Sequence, residues 1–207
     1  MLIPLELLVQ HFNLNIAGIL HIGAHECEEL NAYLKLGIKN KNIYWIEAME
    51  DKVKLMKKEK KVQIYQALID IEDDKEVKFN ITNNGQSSSI LEFGSHKTHH
   101  PHIKMVDSKQ LKTTRLDTFI KKNRIPIERL NFLNIDIQGK ELDALKSMEN
   151  YIQYVKYIYT EVNTEKVYKD CALLTEIDEY LNKRGFKRVA CKMWRDCGWG
   201  DAFYIKN

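Results

Sequence analysis

The sequence predicts an α/β architecture, a mostly parallel sheet with helices on both faces, and three observations carry the prediction. Residues 18–25, Gly-Ile-Leu-His-Ile-Gly-Ala-His, read as a buried strand running into a tight turn. Strands covered on both faces are nearly continuously hydrophobic, as this one is. Leu30, Tyr33, Leu34 and Gly37 then recur at helical spacing, which predicts a helix over 26–36. Tyr44-Trp45-Ile46-Glu47 reads as a second strand ending in a carboxylate. An acid about 20 residues beyond such a turn can accept both hydroxyls of a ribose. The three glycines of a dinucleotide fingerprint are missing, so a nucleoside ligand fits better than NAD.

The remaining elements follow the same alternation. Pro4, Leu5, Leu8 and Phe12 predict a short amphipathic helix over 4–12, with Pro tolerated in its first turn. A helix over 51–58 and a strand over 62–67 complete a β-α-β-α-β half with right-handed crossovers. Residues 70–116 break the pattern: extended segments at 75–81 and 109–116 flank an irregular stretch, 82–107. A loop of that length is usually functional, and we read 70–116 as an insertion forming a lid. Asp117 is expected to cap a helix over 118–122. A buried strand at 130–135, a helix at 140–148, a strand at 155–159 and a helix at 173–182 follow, and Gly185 offers a C-cap. Strands at 186–191 and 201–205 close a seven-stranded sheet, the last one antiparallel.

Length and composition bound the function. At 207 residues one domain, 1–207, with a single core is expected, as a monomer or homodimer. The net charge of +3 gives no case for a nucleic-acid or anionic-membrane surface. No apolar run reaches membrane-spanning length, and the first residues do not read as a signal peptide. Cys27, Cys171, Cys191 and Cys197 lack paired spacing, so free thiols and a cytoplasmic location are expected.

Ile22-Gly23-Ala24-His25 and Trp45-Ile46-Glu47-Ala48 resemble the opening of the FkbM-type S-adenosylmethionine-dependent methyltransferases. In that family the usual form is Asp-Val-Gly-Ala-Asn, followed by a strand-end Glu. Gln86-Ser87-Ser88-Ser89-Ile90-Leu91, Thr114-Arg115-Leu116-Asp117 and the run from Asn134 to Glu141 continue the resemblance in order, to about Asn163. His21 stands where the family usually has Asp, and His25 where it has Asn. The resemblance implies a Rossmann-like class I methyltransferase fold and transfer of a methyl group to oxygen. It also implies cofactor contacts from Gly23, Ala24, His25, Glu28, Glu47, Ala48, Ala67, Leu68, Ser88 and Asp136, and places Asp70 near the adenine.

Methyl transfer is an in-line displacement that requires alignment and a proton acceptor. Asp136, Glu161, His96 and His99 are the candidates for that acceptor. Asp136 also suits a helix cap, and the histidines at 96, 99, 100 and 102 also suit a polar lid face. Their spacing is not that of a structural zinc site. Asp136, Glu161 and Asn163 supply hard oxygens on adjacent strand ends, a set suited to Mg²⁺. Trp194 and Trp199 could stack on a sugar or simply be buried. The polar lid favours a sugar hydroxyl, on a glycan or sugar-containing metabolite, as acceptor. The alternatives are another small-molecule acceptor and a non-catalytic nucleoside-binding partner of a glycan-synthesis enzyme. No Asn/Asp-Pro-Pro-Tyr/Phe run, common in N-methyltransferases, follows Asn134.

Overall fold

The computed structural model describes residues 1–207. In chain order the strands are β1 (Ile19–Ile22), β2 (Ile43–Glu47), β3 (Gln63–Gln66), β4 (Leu68–Ile69), β5 (Glu76–Thr82), β6 (Met105–Thr114), β7 (Phe132–Ile135), β8 (Tyr157–Asn163), β9 (Phe186–Met193) and β10 (Trp199–Lys206). The helices are α1 (Leu5–Phe12), α2 (Leu30–Lys35), α3 (Glu50–Glu59), α4 (His96–His99), α5 (Leu116–Asn123), α6 (Glu141–Ser147) and α7 (Leu174–Asn182). The main sheet has seven strands in the order β3-β2-β1-β7-β8-β10-β9. It is parallel except for β10, which runs antiparallel to both neighbours. A second sheet, β4-β6-β5, is built from the insertion.

Successive side chains of a strand point to opposite faces, and the core divides accordingly. Leu20, Ile22, Leu133 and Ile135 pack with Phe119, Leu145, Ile177 and Leu181 from α5, α6 and α7. Ile19, Trp45, Ile64 and Phe132 pack on the other face with Leu8, Tyr33, Val53 and Met56 from α1, α2 and α3. Each such fully buried aliphatic side chain contributes roughly 1.5–3 kcal/mol. No helix is long and apolar enough to cross a membrane.

Three local expectations change. The helix expected over 26–36 starts only at Leu30, because His25 (φ 41) and Cys27 (φ 51) are left-handed and hold residues 24–29 in a turn. The strand expected over 62–67 forms as β3, and Leu68–Ile69 just beyond it leave the main sheet to pair with β6. Asp117 lies inside the first turn of α5 rather than capping it, drawn there by the Arg115 guanidinium at 3.0 Å. β8 runs on to Asn163, so Glu161 sits within a strand.

Residues 70–116 are less irregular than their composition suggests. β5 and β6 form an antiparallel ribbon, and residues 83–104 between them fold back over the main sheet. Gly94 N–H donates to Val167 O at 2.9 Å, Ser89 exchanges backbone bonds with Asn80, and Phe93 bridges to Tyr168.

The chain leaves β1 for β2 and β3, then returns to place β7 on β1's other side. Open α/β sheets bind ligands at the carboxyl ends where strand order reverses in this way. At that point Gly23 and Ala24 N–H both donate to Ile46 O, at 2.9 and 3.0 Å, and Asp136 N–H donates to Ile22 O at 3.0 Å. Gly23 has φ +88, and a Cβ there would lie 1.7 Å from the Asp136 carbonyl oxygen. Gly23→Ala is therefore expected to cost about 3 kcal/mol or more of unfolding free energy, read by urea denaturation. A loss below about 1 kcal/mol would mean that the two loops separate easily.

Candidate active site

A cavity of about 480 Å³ opens over the carboxyl ends of β1, β2, β7 and β8, with residues from the 83–104 segment in its wall. That volume is within the range of small-molecule sites, about 300–1,000 Å³. Gly23, His25, Glu28, Glu47, Ala48, Ala67, Leu68, Ser88, Asp136, Glu161 and His96 all reach its wall, so the fold gathers most of the residues singled out from sequence.

On the β2 side Glu47 is nearly buried, at 6% exposure. Its Oε2 accepts the His25 N–H at 2.7 Å and its Oε1 the Met49 N–H at 2.9 Å. Burial pushes its pKa up, while these N–H groups pull the other way. Each oxygen keeps a second lone pair for a ligand hydroxyl. Ala24 is buried below the wall. His25 Nδ1 meets Glu28 Oε1 at 2.6 Å, and Gln86 Nε2 donates to the same oxygen at 3.3 Å. Against the raising effect of its partial burial, these bonds and the His25 charge bring Glu28 down to about 2. His25 Nε2 is enclosed and has no partner.

His21 does not stand in for a carboxylate here. Burial pushes its pKa down, leaving it neutral. Its Nδ1 pairs with Tyr33 OH at 3.0 Å, the same hydroxyl accepts Asn134 Nδ2–H at 2.8 Å, and the ring stacks on Trp45. Asp70 is likewise occupied, its carboxylate 2.8 Å from Lys140 Nζ.

The β7–β8 side holds a group of acids. Asp136 follows the end of β7 with its side chain bare to the cavity. Its depth in the molecule, then the charge of Asp201, push its pKa up to about 6. Glu161, enclosed beside it, is raised well above the carboxylate range by burial and by the charge of Asp136. Two such carboxyls share protons rather than ionise independently. Gln138 joins them: Nε2 donates to Asp136 Oδ1 at 2.5 Å and to Glu161 Oε2 at 2.7 Å. The amide oxygen accepts Tyr168 OH at 2.6 Å, and the Gln138 carbonyl accepts Ser89 Oγ–H at 2.8 Å. The wholly buried Glu141 accepts the N–H groups of Ile137 and Gly139 at 3.0 and 3.1 Å, fixing this turn.

Other candidates are placed differently. His96 is 4% exposed and stacked on Phe93; burial and the neighbouring histidines lower its pKa to about 4. His99 is off the cavity wall, its Nε2 held by Glu165 at 2.7 Å. Ser88 reaches the wall, but its hydroxyl accepts the Thr82 N–H at 3.1 Å. Asn163 is fully buried behind the wall with both amide atoms unpartnered, and no three His, Cys, Asp or Glu side chains are grouped to hold a metal ion. Trp199 reaches the wall and donates to His100 Nε2 at 3.2 Å; Trp194 stacks behind it. Gln138, Tyr168, Glu141 and Asp201 were not anticipated. Only Gln138 and Glu141 had a signal, their place in the run from Asn134 to Glu141.

The fold is that of the class I S-adenosylmethionine-dependent methyltransferases. Within that class the chain belongs to the FkbM family: the Methyltransferase FkbM domain matches residues 21–188. Among solved structures, the Synechocystis magnesium protoporphyrin IX methyltransferase with bound S-adenosylmethionine is similar at 11% identity, over 98% of this chain and 76% of that one, TM-score 0.51. An S-adenosylmethionine-dependent methyltransferase from Clostridium acetobutylicum is similar at 8% identity, over 98% and 89%, TM-score 0.52. No curated protein matches the chain.

The raised acids make stability depend on pH. Asp136, at about 6, and Glu141, at about 7, lie above the values of unfolded carboxyls. Their protonation therefore stabilises the fold, fully below about pH 4, and the gain is lost as pH rises through 6 to 7. Melting temperature is expected to fall between pH 5.5 and 8 by a few degrees less in Glu161→Gln than in the unaltered chain. Equal falls would show that the acids do not interact.

Proposed function

We propose that this protein transfers the methyl group of S-adenosylmethionine to a hydroxyl oxygen of a sugar, free or within a glycan or metabolite. The observation that carries the reading is the Asp136 carboxyl, bare in the cavity next to the Gly23 turn. The residues present suit the cofactor. Glu47 offers two fixed oxygens to a ribose, Gly23 leaves the turn without a side chain, and His25 Nε2 awaits a partner. When bound, the sulfonium supplies an electrophilic methyl group and leaves as a neutral thioether.

The chain's own groups do the rest. Glu47 and the 23–25 turn hold the nucleoside, which fixes the direction of attack. Asp136 takes the proton from the acceptor hydroxyl as oxygen bonds to the methyl carbon. Gln138 holds that carboxyl in place, and the 83–104 segment with Tyr168 limits access of water. The acids fit a divalent cation poorly, because the Gln138 amide presents N–H to both carboxylates and Asn163 lies behind the wall. No step needs one, and methyl transfer is expected to be unchanged by EDTA; loss of activity restored by Mg²⁺ would reverse this.

Calorimetric titration with S-adenosylmethionine and S-adenosylhomocysteine is expected to give micromolar binding, about −8 kcal/mol, weakened at least about tenfold by Glu47→Ala. Undiminished binding would remove Glu47 from the site. Asp136→Asn is expected to lower kcat by about 10²–10⁴. It should also flatten the rise of rate with pH near 6, since only the ionised carboxyl accepts a proton. A variant retaining that rise would place the base elsewhere.

A further inference from the structure

Charge is segregated in this molecule. Basic residues outnumber acidic ones over the chain, 32 to 29. The cavity wall reverses the balance, with Glu28, Glu29, Glu47, Asp136, Glu161 and Asp201 against Lys140 and the N-terminal ammonium of Met1, and no arginine. Lys140 is committed to Asp70 and Asp143.

Several of these acids have partners. Glu28 has His25, Glu47 has two backbone N–H groups, and Asp201 accepts the Leu2 N–H and the Tyr159 hydroxyl. Asp136 and Glu161 share one neutral amide, that of Gln138, and neither is ion-paired: the N-terminal ammonium, which also reaches the cavity, pairs with Glu29 at 3.7 Å. Asp136 stands beside the nucleoside side, since β7 adjoins β1. Glu161 lies one strand further out, on β8. Tyr168, His96 and Trp199 also reach the wall, and aromatic faces attract cations. His96 adds an independent sign of a missing polar partner: it is 4% exposed, it reaches the cavity, and its Nδ1 has no hydrogen bond.

We infer that the acceptor carries a protonated amine close to the hydroxyl that is methylated, as in an amino sugar with a free amino group, and carries no phosphate or carboxylate. Its ammonium would lie against Glu161 and the aromatic wall while Asp136 faces the hydroxyl. The cation lets both carboxyls ionise together; an anionic group would meet uncompensated like charge. This inference rests on the reading that a hydroxyl is methylated in this cavity.

The test is a ligand-observed NMR titration of the protein saturated with S-adenosylhomocysteine. The probes are glucose, glucosamine, N-acetylglucosamine, a phosphorylated glucose and the non-sugar amino diol serinol. Glucosamine is expected to bind at least about tenfold more tightly than glucose or N-acetylglucosamine, with the phosphate ester weakest. Glu161→Gln should bring glucosamine and glucose within about threefold. N-Acetylglucosamine or the phosphate ester binding as tightly as glucosamine would overturn the inference while leaving the sugar reading intact. Serinol binding with no hexose bound would do the reverse. Binding of no probe would count against both. The panel on the unaltered protein decides even if the variant fails to fold.

Discussion

The rest of the structure depends on how closely two backbone turns approach at the reversal of strand order. The turn after β1 and the turn after β7 touch where Gly23 faces the Asp136 carbonyl, with no room for a side chain between them. Ile46 O stitches the first turn to β2, and Ile22 O accepts from Asp136. Three strand ends are thereby locked together, and each contributes to the wall: Gly23 from β1, Glu47 from β2, Asp136 from β7. All three sit at the ends of strands packed from both faces, so their backbone positions are set by the core, and fixed positions make alignment effective in a displacement reaction.

Around that junction the protein spends polar groups unevenly. On the β2 side the carboxylates are satisfied by backbone N–H groups and by His25. On the β8 side Asp136 and Glu161 are held together by one amide. Gln138 can do this because its backbone is left-handed (φ 58) and Glu141 ties down the turn from below. The same residue receives Tyr168 and Ser89. The 83–104 segment and the acids therefore share a node, so movement of one is felt by the other. His21 shows the complementary choice: a neutral imidazole, stacked and hydrogen-bonded inside, where a family relative would usually have an acid.

Much of this was legible in the chain. The apolar runs around Leu20, Ile46, Leu133 and Ile158 mark strands buried on both faces, and their alternation with helical spacing fixes a parallel sheet. Glu47 and Asp136 stand out because each ends an apolar run with a charge. The misreadings were local. Helical spacing in 26–36 concealed the left-handed residues His25 and Cys27, which have no signature in side-chain periodicity. His99 looked equivalent to His96 from its neighbours, yet one turn of α4 sends it to Glu165 while His96 reaches the cavity.

The sequence by itself determined the α/β class, the strand ends and the acids placed on them, because hydrophobic period and charge at run ends are local properties. Tertiary structure alone decided which polar groups meet. Asp201 joins the site because β10 inserts beside β8 in reverse. Tyr168 joins because the 83–104 segment folds back to it, and Gln138 becomes a node because its turn is gripped by Glu141. Pairings between residues far apart in the chain depend on strand order and backbone handedness, which residue spacing does not encode.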